Sequence, residues 1–240
     1  SEYVDFLQKI NPGGGRESTG VVTRFSLSGP SVVDSKYPVE IRLLSESDVL
    51  KILFNSFFSD FDHTGALSLA PFSDDQIRQR LDELSKSVDS TNTDESLKAE
   101  DILDLRDCLE NDFANLVNNL KTDFWPAAIS LAPRLSIAQR AKLFAIIWRD
   151  FPVFTDMYKQ LASAIQQIKY ASECLVPLEA VVTNESQISI VDAQLLSSLG
   201  DSTAEEVSVC PLLNGELSSP VRLAKPLLAA LTAELRLTIP

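Results

Sequence analysis

Histidine occurs once in this 240-residue chain, at His63, and cysteine three times, at Cys108, Cys174 and Cys210. The imidazole lies in Asp60-Phe61-Asp62-His63, and nothing else in the chain has ligand spacing that completes a metal site around it. The segment is read as a helix end with solvated acids. The cysteines are far apart, odd in number and not beside the histidine, which fits reduced thiols in a cytosolic protein rather than a disulfide framework. Cationic residues are scarce: 21 Lys and Arg stand against 34 Asp and Glu, a net charge of −13. That balance argues against a nucleic-acid partner, because phosphate binding needs a cationic face. It also disfavours an anionic membrane surface. No apolar run approaches the roughly 20 residues of a membrane helix, so no transmembrane segment is expected. The N-terminus, Ser1-Glu2-Tyr3-Val4-Asp5, has no basic region followed by an apolar stretch and is not a signal peptide. It also lacks an initiating methionine, which fits a trimmed or internal piece.

What is present is ordinary for a soluble globular chain, with 45% hydrophobic and 23% charged residues. Tyr3, Phe6, Leu7 and Ile10 have helical spacing, and Asn11-Pro12-Gly13 ends that helix. Val21 to Leu27 and Pro38 to Leu44 read as two strands joined in a hairpin. From residue 46 to about 170 the pattern is almost wholly helical. Ser45 with Asp48 and Ser136 with Gln139 have the spacing of capping boxes, and Phe72-Ser73 opens a further helix. Ile102, Leu105, Leu109, Phe113, Leu116 and Leu120 define one long amphipathic helix, with the acids from Asp94 to Glu110 on its wet side. Trp125-Pro126 interrupts it. Trp125, Phe144 and Trp148 read as core. After Pro177 short strands are expected at Ile188–Asp192, Val207–Cys210 and Glu234–Ile239, with a helix at Pro226–Ala233. The expected divisions are 1–45, 46–172 and 173–240, a helical insertion within an α/β domain.

Four of the eight glycines fall within residues 13 to 20, directly before the first strand. Glycine takes positive φ and lets the backbone approach a ligand, so Gly13-Gly14-Gly15-Arg16-Glu17-Ser18-Thr19-Gly20 can wrap a phosphate. On composition alone, a flexible loop before an ordinary strand is the favoured account, and the phosphate reading draws on more than composition. No GxxxxGK[ST] phosphate loop occurs in the chain, and no Gly-x-Ser-x-Gly elbow supports a hydrolase.

The run Ser18-Thr19-Gly20-Val21-Val22-Thr23-Arg24 resembles the first switch of dynamin-type GTPases. With its flanks, Tyr3-Val4-Asp5-Phe6-Leu7 through Asn11-Pro12 and Ile41-Arg42-Leu43-Leu44-Ser45-Glu46, it also resembles bacterial SrfC-like putative virulence factors. The resemblance implies an internal segment of a dynamin-like GTPase. The fold would be α/β, a mainly helical insertion flanked by β segments of an incomplete P-loop GTPase-like sheet. Thr23 would be the catalytic switch residue and Mg²⁺ ligand, with Arg16, Ser18 and Gly20 on the phosphate side of GTP. GTP and Mg²⁺ would be held only by the intact parent, and this chain alone would be inactive. Arg24 follows the threonine as in dynamins and is assigned no role. The helical block would serve a protein partner or self-association. The alternative is a non-enzymatic helical interaction module with the glycine run as a linker.

Overall fold

In the computed structural model, the described residues are 21–26, 34–60, 70–88, 96–182, 189–191 and 193–238. They form eight α-helices and a seven-stranded mixed sheet. Contacts divide the chain into two compact units, residues 1–44 with 164–240 and residues 45–163.

The first unit holds the sheet: β1 (Val22–Ser26), β2 (Val39–Leu43), β3 (Glu173–Val176), β4 (Glu206–Leu213), β5 (Glu216–Leu217), β6 (Val221–Ala224) and β7 (Thr232–Thr238). The strand order is β1-β7-β2-β3-β4-β5, and β6 pairs with β4. Strand β7 therefore lies between β1 and β2, parallel to the first and antiparallel to the second. The expected β1–β2 hairpin does not form. Sequence proximity favoured it, but β7 is the complementary neighbour. Glu40 faces Arg236, Ile41 faces Leu235 and Arg42 faces Glu234, so these three opposed pairs match in charge or polarity before the register shifts at Leu43.

Alternation splits the central strands into an apolar side and a charged side. Ile41, Cys174 and Leu235 are fully covered on one, whereas Glu40, Arg42, Glu173, Glu234 and Arg236 occupy the other. Of the strand expected at Ile188–Asp192, the described residues are Ser189–Val191, and these form a turn, pinned where the Ser189 hydroxyl donates to the Val181 carbonyl.

The second unit is helical. It contains α1 (Glu46–Asn55) with a π-helical turn at Ser56–Asp60, α2 (Asp74–Lys86), α3 (Ala99–Phe113), α4 (Phe124–Leu131) and α5 (Ile137–Phe144). Helix α6 (Pro152–Gln167) begins here, while α7 (Leu178–Val181) and α8 (Lys225–Leu231) belong to the sheet unit. Capping boxes open α1 at Ser45 and Asp48, α2 at Ser73 and Gln76, and α5 at Ser136 and Gln139, each satisfying orphan backbone donors. The single long helix expected through Leu120 stops at Phe113, and a short 3₁₀ turn follows at Asn118–Leu120. Pro126 starts rather than breaks a helix. It sits in the first turn of α4, where a missing N–H costs nothing.

The core of this unit is aromatic. Trp125, Phe144 and Trp148 are buried, and Phe54 packs edge-on against Phe144 at 6.2 Å between ring centroids.

Candidate functional site

Thr23 is the second residue of β1, half-buried, and its register partner is Leu235. It shares the apolar side of the sheet with Leu235. Among the described residues β1 pairs with β7 alone, and Val22 and Phe25 remain 60% and 48% exposed. Arg24 points to the charged side, where its Nε lies 3.2 Å from Glu234. Arg16, Ser18 and Gly20 lie outside the described residues, as does His63. Of the residues assigned from the resemblance, Thr23 alone is therefore placed. Among the described residues no three His, Cys, Asp or Glu side chains are grouped to hold a metal ion.

On the charged side of the sheet, Arg236 on β7 donates to Glu40 on β2, to Glu173 on β3 and to Glu234 on its own strand. The bond from Arg236, followed by the nearby Arg24 and Arg42 charges, holds the Glu234 carboxyl below its usual range. The six charges of Arg24, Glu40, Arg42, Glu173, Glu234 and Arg236 balance and tie four strands together.

All three thiols are held above their ordinary range. Cys174 opposes Pro211 and Cys210 opposes Leu175 on the paired strands β3 and β4, so the two side chains project from opposite faces. Burial pushes the Cys174 thiol up to about 12 and raises Cys210 as well. Cys108 is raised by burial and then by Asp112, whose carboxylate is 3.7 Å from its sulfur.

Within the helical unit, the fold assembles a polar cluster that sequence spacing does not reveal. Glu46 of α1, Arg140 of α5 and Tyr158 of α6 are all at most 1% exposed. The Arg140 guanidinium donates to the Leu135 carbonyl at 2.9 Å, to Glu46 Oε2 at 3.1 Å and to Ser96 Oγ at 3.0 Å. Ser96 and Tyr158 each donate a hydroxyl hydrogen to the Glu46 carboxylate. The charges are thus paired and hydrogen-bonded, and the set joins three helices to the segment that opens α3.

The same unit also carries a solvent-facing groove of about 510 Å³, lined by Arg80, Glu83, Leu84 and Ser87 of α2 and its end, Gln139 and Lys142 of α5, and Asp150. Arg80 makes a bidentate pair with Asp150 at 2.6 and 2.8 Å and lies over the Phe72 ring, 4.9 Å from its centroid. At the other end Gln139 Nε2 donates to the Ser87 carbonyl at 2.6 Å.

Among the described residues no helix is long and apolar enough to cross a membrane. No curated protein and no solved structure matches the chain. A family model matches residues 1–240, the whole sequence, and the chain belongs to the family described as "Putative bacterial virulence factor".

Proposed function

We propose that these residues are a segment of a larger dynamin-like protein that binds and hydrolyses GTP, and that they do not turn over GTP alone. The observation that carries this reading is the run Ser18-Thr19-Gly20-Val21-Val22-Thr23-Arg24, which opens onto strand β1 of a mixed sheet. In the proposal Thr23 supplies a hydroxyl to Mg²⁺, and Arg16, Ser18 and Gly20 line the phosphate side. One threonine hydroxyl, without a lysine-bearing phosphate loop, does not fit a complete GTP and Mg²⁺ site. The nucleotide is therefore assigned to the intact parent, and no chemical step is derived for this chain.

The test is GTP binding and phosphate release by the intact parent, by its Thr23→Ala variant and by the 240-residue chain. The expected result is Mg²⁺-dependent turnover by the parent, lost on Thr23→Ala, and none from the isolated chain. A parent that binds no GTP, or a Thr23→Ala parent with unchanged turnover, overturns the reading.

A second reading, a non-enzymatic helical interaction module, draws on the helical unit. There Ile52, Leu116 and Val153 are 49%, 50% and 56% exposed. It predicts concentration-dependent self-association or partner capture that Thr23→Ala leaves unchanged, readable by sedimentation velocity.

A further inference from the structure

We propose that β1 is a releasable edge strand: latched by Arg24 and Glu234, it opens from β7 as a unit while β7, β2 and β3 keep their pairing. The inference does not rest on the GTP reading.

Burial along the strand is the first observation. Val21 and Thr23 are half-buried, and Val22, Arg24 and Phe25 are exposed, so none of these side chains belongs to the core. The neighbouring strands differ: Val39, Ile41 and Leu43 of β2 and Leu235 of β7 are at most 5% exposed. Leu235 opposes both Thr23 and Ile41, and it keeps the second when the first departs. Detaching β1 therefore brings little apolar surface into water, whereas detaching β2 would open the core.

Pairing is the second. Strand β1 ends the strand order and bonds to β7 alone among the described residues. That ladder is parallel, and the other pairings of described strands are antiparallel. A parallel ladder is slightly less stable per residue. Strand β5 also pairs on one side, but Asn214 and Gly215, at φ 54° and 81°, join it to β4 in a tight turn. No turn of that kind ties β1 to β7, which lies at the opposite end of the chain.

Charge is the third. Among the described residues Arg24–Glu234 is the ion pair that joins β1 to the sheet, and the arginine side chain is 63% exposed. A pair of this kind is a weak tie. The buried glutamate does not depend on it: Arg236 donates to Glu234 at 2.9 Å from the same strand, and Arg42 of β2 stands 3.8 Å away. Release of β1 returns Arg24 to water and leaves Glu234 paired, so no buried charge is stranded. The sheet thus has two states, one with β7 as an interior strand and one with β7 as an open edge.

The experiment is amide hydrogen exchange of the 240-residue chain, followed by NMR at several low urea concentrations. Strand β7 carries its own control, because its amides alternate between bonds to β1 and bonds to β2. The amides in the β1–β7 ladder should exchange at least about tenfold faster than those bonded to β2, and with a weaker urea dependence, because the opening exposes little surface. Arg24→Gln should speed the first set by about threefold and leave the second unchanged. Equal rates and equal urea dependence in the two β7 sets would mean that β1 leaves only with the whole sheet, which overturns the inference. It is also overturned if Arg24→Gln leaves exchange in the β1–β7 ladder unchanged, or if that variant unfolds altogether, since a releasable strand does not govern global stability.

Discussion

Arg140 Nε stands 2.9 Å from Glu46 Oε1, and neither side chain is more than 1% exposed. An arginine withdrawn from water is costly unless its charge is paired and its remaining donors are used. Here the partner is a buried glutamate, and the Leu135 carbonyl and Ser96 hydroxyl take further N–H groups. The cluster thus converts a large desolvation penalty into a specification of how α1, α5 and α6 meet.

Removing one member should therefore cost more than the pair is worth. Glu46→Ala leaves Arg140 charged and buried, and a loss of about 3–5 kcal/mol is expected in urea denaturation. The double variant Glu46→Leu with Arg140→Met should lose clearly less than the sum of its single variants. Additive losses would mean that the two side chains are not coupled in the folded protein.

Tyr158 adds an alkaline limit. Burial first, and the Glu46 charge second, push its phenol well above the ordinary value of 10.0. The folded state holds the proton more tightly than the unfolded chain, so this contribution is complete below pH 10.0 and declines as the pH rises above it. Stability should fall above that pH in the wild type and less so in Tyr158→Phe. The difference in tyrosinate absorbance between the two should appear only as the fold is lost. A Tyr158 signal in the still-folded protein would contradict the burial.

The charged side of the sheet sets an acid limit of opposite sign. The Glu234 carboxyl is held below its ordinary value of 4.5 by Arg236. Its contribution is therefore complete above 4.5 and is lost as the pH falls through the folded value. Arg236→Leu should cost about 1 kcal/mol near neutral pH, since the network is partly solvated. The gap between variant and wild type should narrow on acidification. A gap that is constant with pH would show that Arg236 acts through packing alone.

The legible parts of the fold were those in which cause and effect are neighbours in the chain. The bonds of Ser45 with Asp48 and of Ser136 with Gln139 close within three residues, so spacing alone identifies the starts of α1 and α5. The burial of Trp125 and Phe144 likewise follows from apolar side chains in helical segments, and that of Trp148 from the apolar run that continues past the end of α5. Arg140 was not legible in this way. A charged residue inside an amphipathic helix reads as solvent-facing, and its partner Glu46 lies 94 residues away. Nor did the short strands β3 and β6 carry a pattern strong enough to identify them. At the candidate site, local sequence picked out Thr23 and put it at the start of a strand, but not which strand would lie beside it.

The sequence by itself determined the α/β character, the helix starts and the aromatic core, because period and capping act over a few residues. Only the tertiary structure decided that β7 enters between β1 and β2 and that Arg140 meets Glu46. Each of those depends on complementary charge or shape between segments far apart in the chain, and such complementarity acts only once the chain has folded.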